Sequence, residues 1–85
     1  MKEFADVSNS YILLEYKRTS KKIKYFRVMK GFTQEKVALS MGFTTATFYT
    51  NAENSKSGKH FNLEHIIKIS KILNIPVSHF FEESL

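Results

Sequence analysis

"TQEKVALSMGFTTATFYTNAEN", residues 33–54, decides how the rest of the chain is read. It holds two short helix-like stretches on either side of "MGF". Thr33 suits an N-cap, and Val37, Ala38 and Met41 recur at helical spacing before Gly42, a residue free to take the left-handed turn that ends a helix. Lys36 stands where a Glu or Gln would complete a capping box, so the cap rests on Thr33 alone. The second stretch, capped by Thr44 or Thr45 and running to about Asn54, crowds Thr44, Thr45, Thr47, Thr50 and Asn51 together. All are poor helix formers, where a merely solvated helix would use Glu and Lys.

Working outward, the apolar positions keep helical spacing almost throughout. Tyr11 and Leu14, with Ile12, Leu13 and Tyr16 beside them, predict a helix near residues 9–18. Thr19 or Ser20 can cap a second helix with Ile23, Phe26 and Val28 or Met29 on its buried side, and Gly31 ends it; the two helices could also form one rod. After the polar loop "NSKSGKH", Asn62 caps a helix with Leu63, Ile66, Ile67, Ser70 and Leu73 on one face, widened by Ile69 and Ile72 toward burial on more than one side. Asn74 stops that helix, and Pro76 opens a last short one that carries Phe80 and Phe81. No strand alternation, internal repeat or low-complexity tract is present. The expectation is an all-α fold of five or six short helices.

Composition narrows the function. At 85 residues the chain makes one small domain, and 42% hydrophobic and 25% charged residues are ordinary for a globular one. The absence of cysteine excludes disulfides, thiolate zinc sites and a cysteine nucleophile. No apolar run approaches a membrane span and "MKEFADVSNS" has no secretory pattern, so the expected location is the cytoplasm, without a membrane partner. Of 13 Lys and Arg, eight lie between Lys17 and Lys36, opposed there only by Glu35. Such a block favours an anionic partner, although a solvated helix face accounts for the charge equally well.

Two short helices joined through a glycine turn, the second rich in small polar side chains, are what a helix-turn-helix requires. Gly42 permits the bend and Ala38 permits close packing. The second helix would then lie in a major groove, where a threonine hydroxyl and methyl, or an asparagine amide, can meet base edges. Caps and surface filler explain one or two of these residues better than all five.

The stretches "IKYFRVMKGFTQEKVALSMGF", "FYTNAENSK" and "FNLEHIIKISKILNIPVSHFFEE" together resemble the lambda-repressor-like, or Xre-type, helix-turn-helix domain. The resemblance covers about residues 20–83 and implies a compact five-helix domain that binds double-stranded DNA, acting as a homodimer on a pseudo-palindromic site and regulating transcription, most often as a repressor. Residues 1–19 become a helical N-terminal extension to a DNA-binding domain at 20–85. Gln34 matches the family glutamine that grips a phosphate, helped by the positive end of its helix. Thr44 and the loop lysines Lys56 and Lys59 are the other expected phosphate contacts. Arg27 and Glu53 match a family ion pair that braces the reading helix.

The segment from Gly42 to Glu53 is one residue longer than the family spacing. Aligned back from Glu53, Tyr49 and Ala52 face the core, and Ala46, Thr47 and Asn51 face the groove. Aligned forward from Gly42, Phe48 is buried, and Thr45, Ala46 and Thr50 face the groove. The backward register is preferred because it keeps the Arg27–Glu53 brace.

Other chemistry finds less support. His60, His65 and His79 lack the spacing of a helical metal pair, so no metal or cofactor is expected. No phosphate-binding glycine loop or nucleophile constellation is present, and no catalytic residue is assigned. Eight Phe could stack on RNA bases, but single-strand binders generally display aromatics on a sheet. The serious alternative is a protein-interaction module, because residues 9–18 carry more apolar surface than a free tail should and could hold a protein partner. Either Phe80 and Phe81, or Ile12, Leu13 and Tyr16, could supply a dimer contact.

Overall fold

The computed structural model describes residues 6–83 and shows four α-helices followed by a 3-10 helix, with no strand among the described residues. The helices are α1 (Asn9–Met29), α2 (Gln34–Met41), α3 (Thr47–Glu53) and α4 (Leu63–Leu73), and the 3-10 helix is Val77–Phe81. Residues 1–5 of the expected extension and 84–85 of the expected domain lie outside the described residues.

The two expected N-terminal helices are one continuous helix of 21 residues. Ser8, not Thr19 or Ser20, is its N-cap, accepting a hydrogen bond from the Tyr11 amide. Thr19 Oγ1 instead donates to the Glu15 carbonyl within the helix. Ser20 Oγ donates to the Ala52 carbonyl at 3.0 Å and so ties α1 to α3. A hydroxyl mid-helix can look like a cap in sequence, because both roles use the same short side chain.

All four helices end in the same way. An amide two or three residues past each helix returns to a carbonyl five residues back, as in Phe32 to Arg27, Phe43 to Ala38, Lys56 to Asn51 and Ile75 to Ser70. Each return needs a left-handed residue, supplied by Gly31 and Gly42 for the first two helices and by Ser55 and Asn74 (both at φ 56°) for the others. Glycine adopts that conformation without strain; serine does not.

The core gathers Ile23 of α1, Val37, Ala38 and Met41 of α2, Tyr49 and Ala52 of α3, and Ile66, Ile69 and Leu73 of α4, closed by Phe61, Ile75 and Phe80. Val28 and Met29 are exposed and Arg27 takes the inner face of α1 instead. α4 buries a single stripe of Ile66, Ile69, Ser70 and Leu73, while Leu63 and Ile67 face outward. Ser70 Oγ donates to the Ile75 carbonyl at 2.6 Å, which satisfies a hydroxyl on that stripe and anchors the turn into the 3-10 helix. α2 thereby packs against both α3 and α4, with α1 behind α3.

Candidate nucleic-acid interface

α2 begins at Thr33, whose Oγ1 accepts from the Lys36 amide at 3.0 Å, and ends at Gly42 with φ 104°. The turn between the two helices runs through residues 43–46. α3 starts only at Thr47, and Ala46 occupies its N-cap position without a side-chain capping bond, so neither Thr44 nor Thr45 caps it in the expected way. Thr45 Oγ1 makes a long contact of 3.4 Å with the Thr47 amide. Phe43 and Phe48 hold the turn from inside, with ring centroids 5.2 Å apart, and the His65 ring lies 5.0 Å from Phe48.

Within α3, Tyr49, Ala52 and Glu53 are buried and Phe48 is half-buried. Thr47, Thr50 and Asn51, at helical spacings of three and four, therefore share the opposite face. Thr44, Thr45 and Thr47 are exposed, and Ala46, Thr50 and Asn51 are half-buried. Lys56 and Lys59 are exposed in the loop after α3, closed by a bond from the Lys59 amide to the Lys56 carbonyl.

Behind that face lies a polar network that spans three helices. Arg27 Nε and Nη2 donate to the two carboxylate oxygens of Glu53, both at 2.9 Å, and Nη1 donates to the Phe32 carbonyl at 2.7 Å. Gln34 Nε2 donates to Glu53 Oε1 at 2.9 Å, and Thr50 Oγ1 donates to Gln34 Oε1 at 3.1 Å. The Gln34 amide is thus engaged at both ends within the protein, leaving one Nε2 hydrogen for any external acceptor. Thr50 has its hydroxyl proton committed in the same way, with its methyl and lone pairs free. No sequence pattern signalled these two links, because they join residues on different helices.

The electrostatics follow from this packing. Burial alone pushes the Glu53 carboxyl up, but hydrogen bonds from Arg27 and Gln34, with the guanidinium charge, hold it below its ordinary range. The bond to Glu53 outweighs burial at Arg27 and raises it further. Burial, with the Glu53 charge adding, raises the Tyr49 phenol well above its usual value. The Tyr49 hydroxyl lies beside the pair without completing a hydrogen bond of good geometry. Among the described residues no cluster of His, Asp and Glu could hold a metal ion.

The helix-turn-helix family model matches residues 23–80 of the chain. The chain belongs to the lambda-repressor-like helix-turn-helix family. It is 36% identical over 63 residues to an uncharacterized HTH-type transcriptional regulator of Sinorhizobium medicae (strain WSM419). A second uncharacterized HTH-type transcriptional regulator, from Rhizobium meliloti (strain 1021), matches to the same degree. Each match covers 74% of this chain but 43% of the relative, so this helix-turn-helix chain spans under half the length of those regulators. In the family architecture α2 and α3 are the paired helices, and the Arg27–Glu53 bridge joins the helix before the motif to the end of its second helix. Among the described residues no helix is long and apolar enough to cross a membrane.

Proposed function

We propose that the chain is a sequence-specific regulator of transcription, a repressor that reads the major groove of double-stranded DNA with α3. The observation that carries this reading is the outward face of α3, where Thr47 and Asn51 stand on a helix braced from behind by the buried Arg27–Glu53 pair. Asn can pair bidentately with adenine, and a threonine methyl can contact thymine. Ala46, Thr47 and Asn51 are the proposed base contacts at the centre, with Thr45 and Thr50 at the margins. Thr44, Lys56 and Lys59, with the free Nε2 hydrogen of Gln34, are the proposed phosphate contacts. The regulator needs no cofactor or catalytic step and works in the cytoplasm, where the DNA is.

Two copies on a two-fold site would multiply the discrimination of one short helix. Phe80 is fully in the core and cannot serve that contact, whereas Phe81 is 53% exposed and borders a cleft shared with Leu63. The homodimer is therefore proposed through Phe81 and Leu63. Selection from random duplex oligonucleotides with the purified chain tests the whole reading. The expected result is one enriched motif with two-fold symmetry; recovery of no enriched DNA contradicts the proposal.

A further inference from the structure

The outer side of α1 carries a second regular stripe whose apolar members lie outside both the core and the proposed DNA-reading face. Tyr11, Leu14, Arg18, Lys21, Tyr25 and Val28 succeed one another in steps of three and four residues. That spacing is the a/d seam of a helix that packs lengthwise on another helix. Ser20, Ile23 and Arg27 are buried on the opposite side, and Lys22 is buried on one flank of the stripe. The four apolar members of the stripe are 57%, 46%, 49% and 59% exposed, in chain order. Four of the six positions precede residue 23, where the family match begins, so this stripe is largely additional to the helix-turn-helix unit.

Charge decides what can lie on it. The exposed cations of α1 are Lys17, Arg18, Lys21 and Lys24, and Arg18 meets Glu15 at 2.9 Å and Glu83 at 3.9 Å, while Lys22 and Arg27 are buried. Arg18 and Lys21 occupy the middle of the seam. A second copy laid along it, parallel or antiparallel, would bring cations against cations at the centre, which costs affinity at any interface. Phosphate alone would leave Tyr11, Leu14, Tyr25 and Val28 without a partner. We infer that the outer seam of α1 docks an acidic amphipathic helix of another protein, with an apolar stripe against its ends and carboxylates against Lys21, Lys17 and Lys24. The seam runs for about 26 Å, so the partner helix spans nearly five turns. This inference is independent of the DNA-binding proposal, since it uses none of the α3 residues.

Three synthetic peptides test it with the full chain by fluorescence anisotropy. One carries Leu at a and d over three heptads with Glu at the flanking positions, the second has Lys in place of Glu, and the third is a scramble of the first. The first peptide should bind at least about tenfold more tightly than the scramble, with the Lys peptide weaker than both. Leu14→Ala with Val28→Ala should weaken the first peptide by about tenfold, while a thermal melt confirms an unchanged fold. Lys21→Glu should shift preference toward the Lys peptide. Equal binding of the first peptide and its scramble, or no binding of either, overturns the inference. So does dissociation of a homodimer by the Leu14→Ala, Val28→Ala pair, which would assign the seam to a second copy. A matching loss of DNA affinity in that pair would assign it to nucleic acid and overturn it as well.

Discussion

Arg27 and Glu53 show how one pair of residues fixes where the outer face of α3 points. The carboxylate is completely buried and the guanidinium nearly so, with bidentate geometry and a third Arg27 bond to the Phe32 carbonyl. Breaking such a pair leaves a buried charge unanswered, so Arg27→Ala should cost about 3 kcal/mol in denaturant unfolding. Glu53, held below its usual range, contributes stability that is full above the unfolded carboxylate value of about 4.3 and is lost as pH falls through its lower folded value. A pH series of unfolding midpoints should show that acid limb, and Glu53→Gln should flatten it. His65 acts in a higher window. Its Nδ1 accepts from the Asn62 amide at 3.0 Å, which requires the unprotonated ring, and burial lowers its affinity for a proton. A base whose folded value is depressed is stabilising above its unfolded value of about 6.5, and that stability falls as pH drops below it. The melting temperature should decline between pH 7.5 and 5.5, and His65→Gln, which can close the same capping box, should remove the decline.

At the scale of elements, four helices are closed by one motif, and only two of the closing residues are glycine. Ser55→Gly should therefore raise stability by about 1 kcal/mol by relieving the left-handed serine, as measured by chemical denaturation. Gly31, Gly42 and Asn74 marked their helix ends plainly in the sequence, because those residue types favour that conformation. Ser55 did not, and the end of α3 was legible only approximately. The caps at Thr33 and Asn62 were readable for the same local reason. The continuity of α1 was not decided locally: Thr19 and Ser20 suit a cap as well as a mid-helix contact, and only the Ala52 carbonyl across the core settles Ser20. The outward face of Leu63, Ile67, Val28 and Met29 was likewise illegible, since periodicity gives a stripe but not which neighbour covers it. The register of α3 is set by its buried residues, Tyr49, Ala52 and Glu53, with Phe43 of the turn packed on Phe48.

For the whole molecule, three surfaces separate: the outer face of α3, the Phe81 and Leu63 patch, and the basic seam of α1. DNA binding through phosphates releases counterions, so for five or six neutralised phosphates the slope of log affinity against log salt should be roughly −5. Lys56→Ala should weaken all sequences alike and make that slope shallower by about one. The most direct test of the central claim compares affinities for the selected site and for random duplex, using the wild type, Thr47→Ala and Asn51→Ala. Base reading by α3 predicts a loss of about 1–3 kcal/mol on the selected site for each variant, confined to particular base pairs, with random-duplex affinity and melting temperature unchanged. Variants that bind the selected site as the wild type does would contradict it.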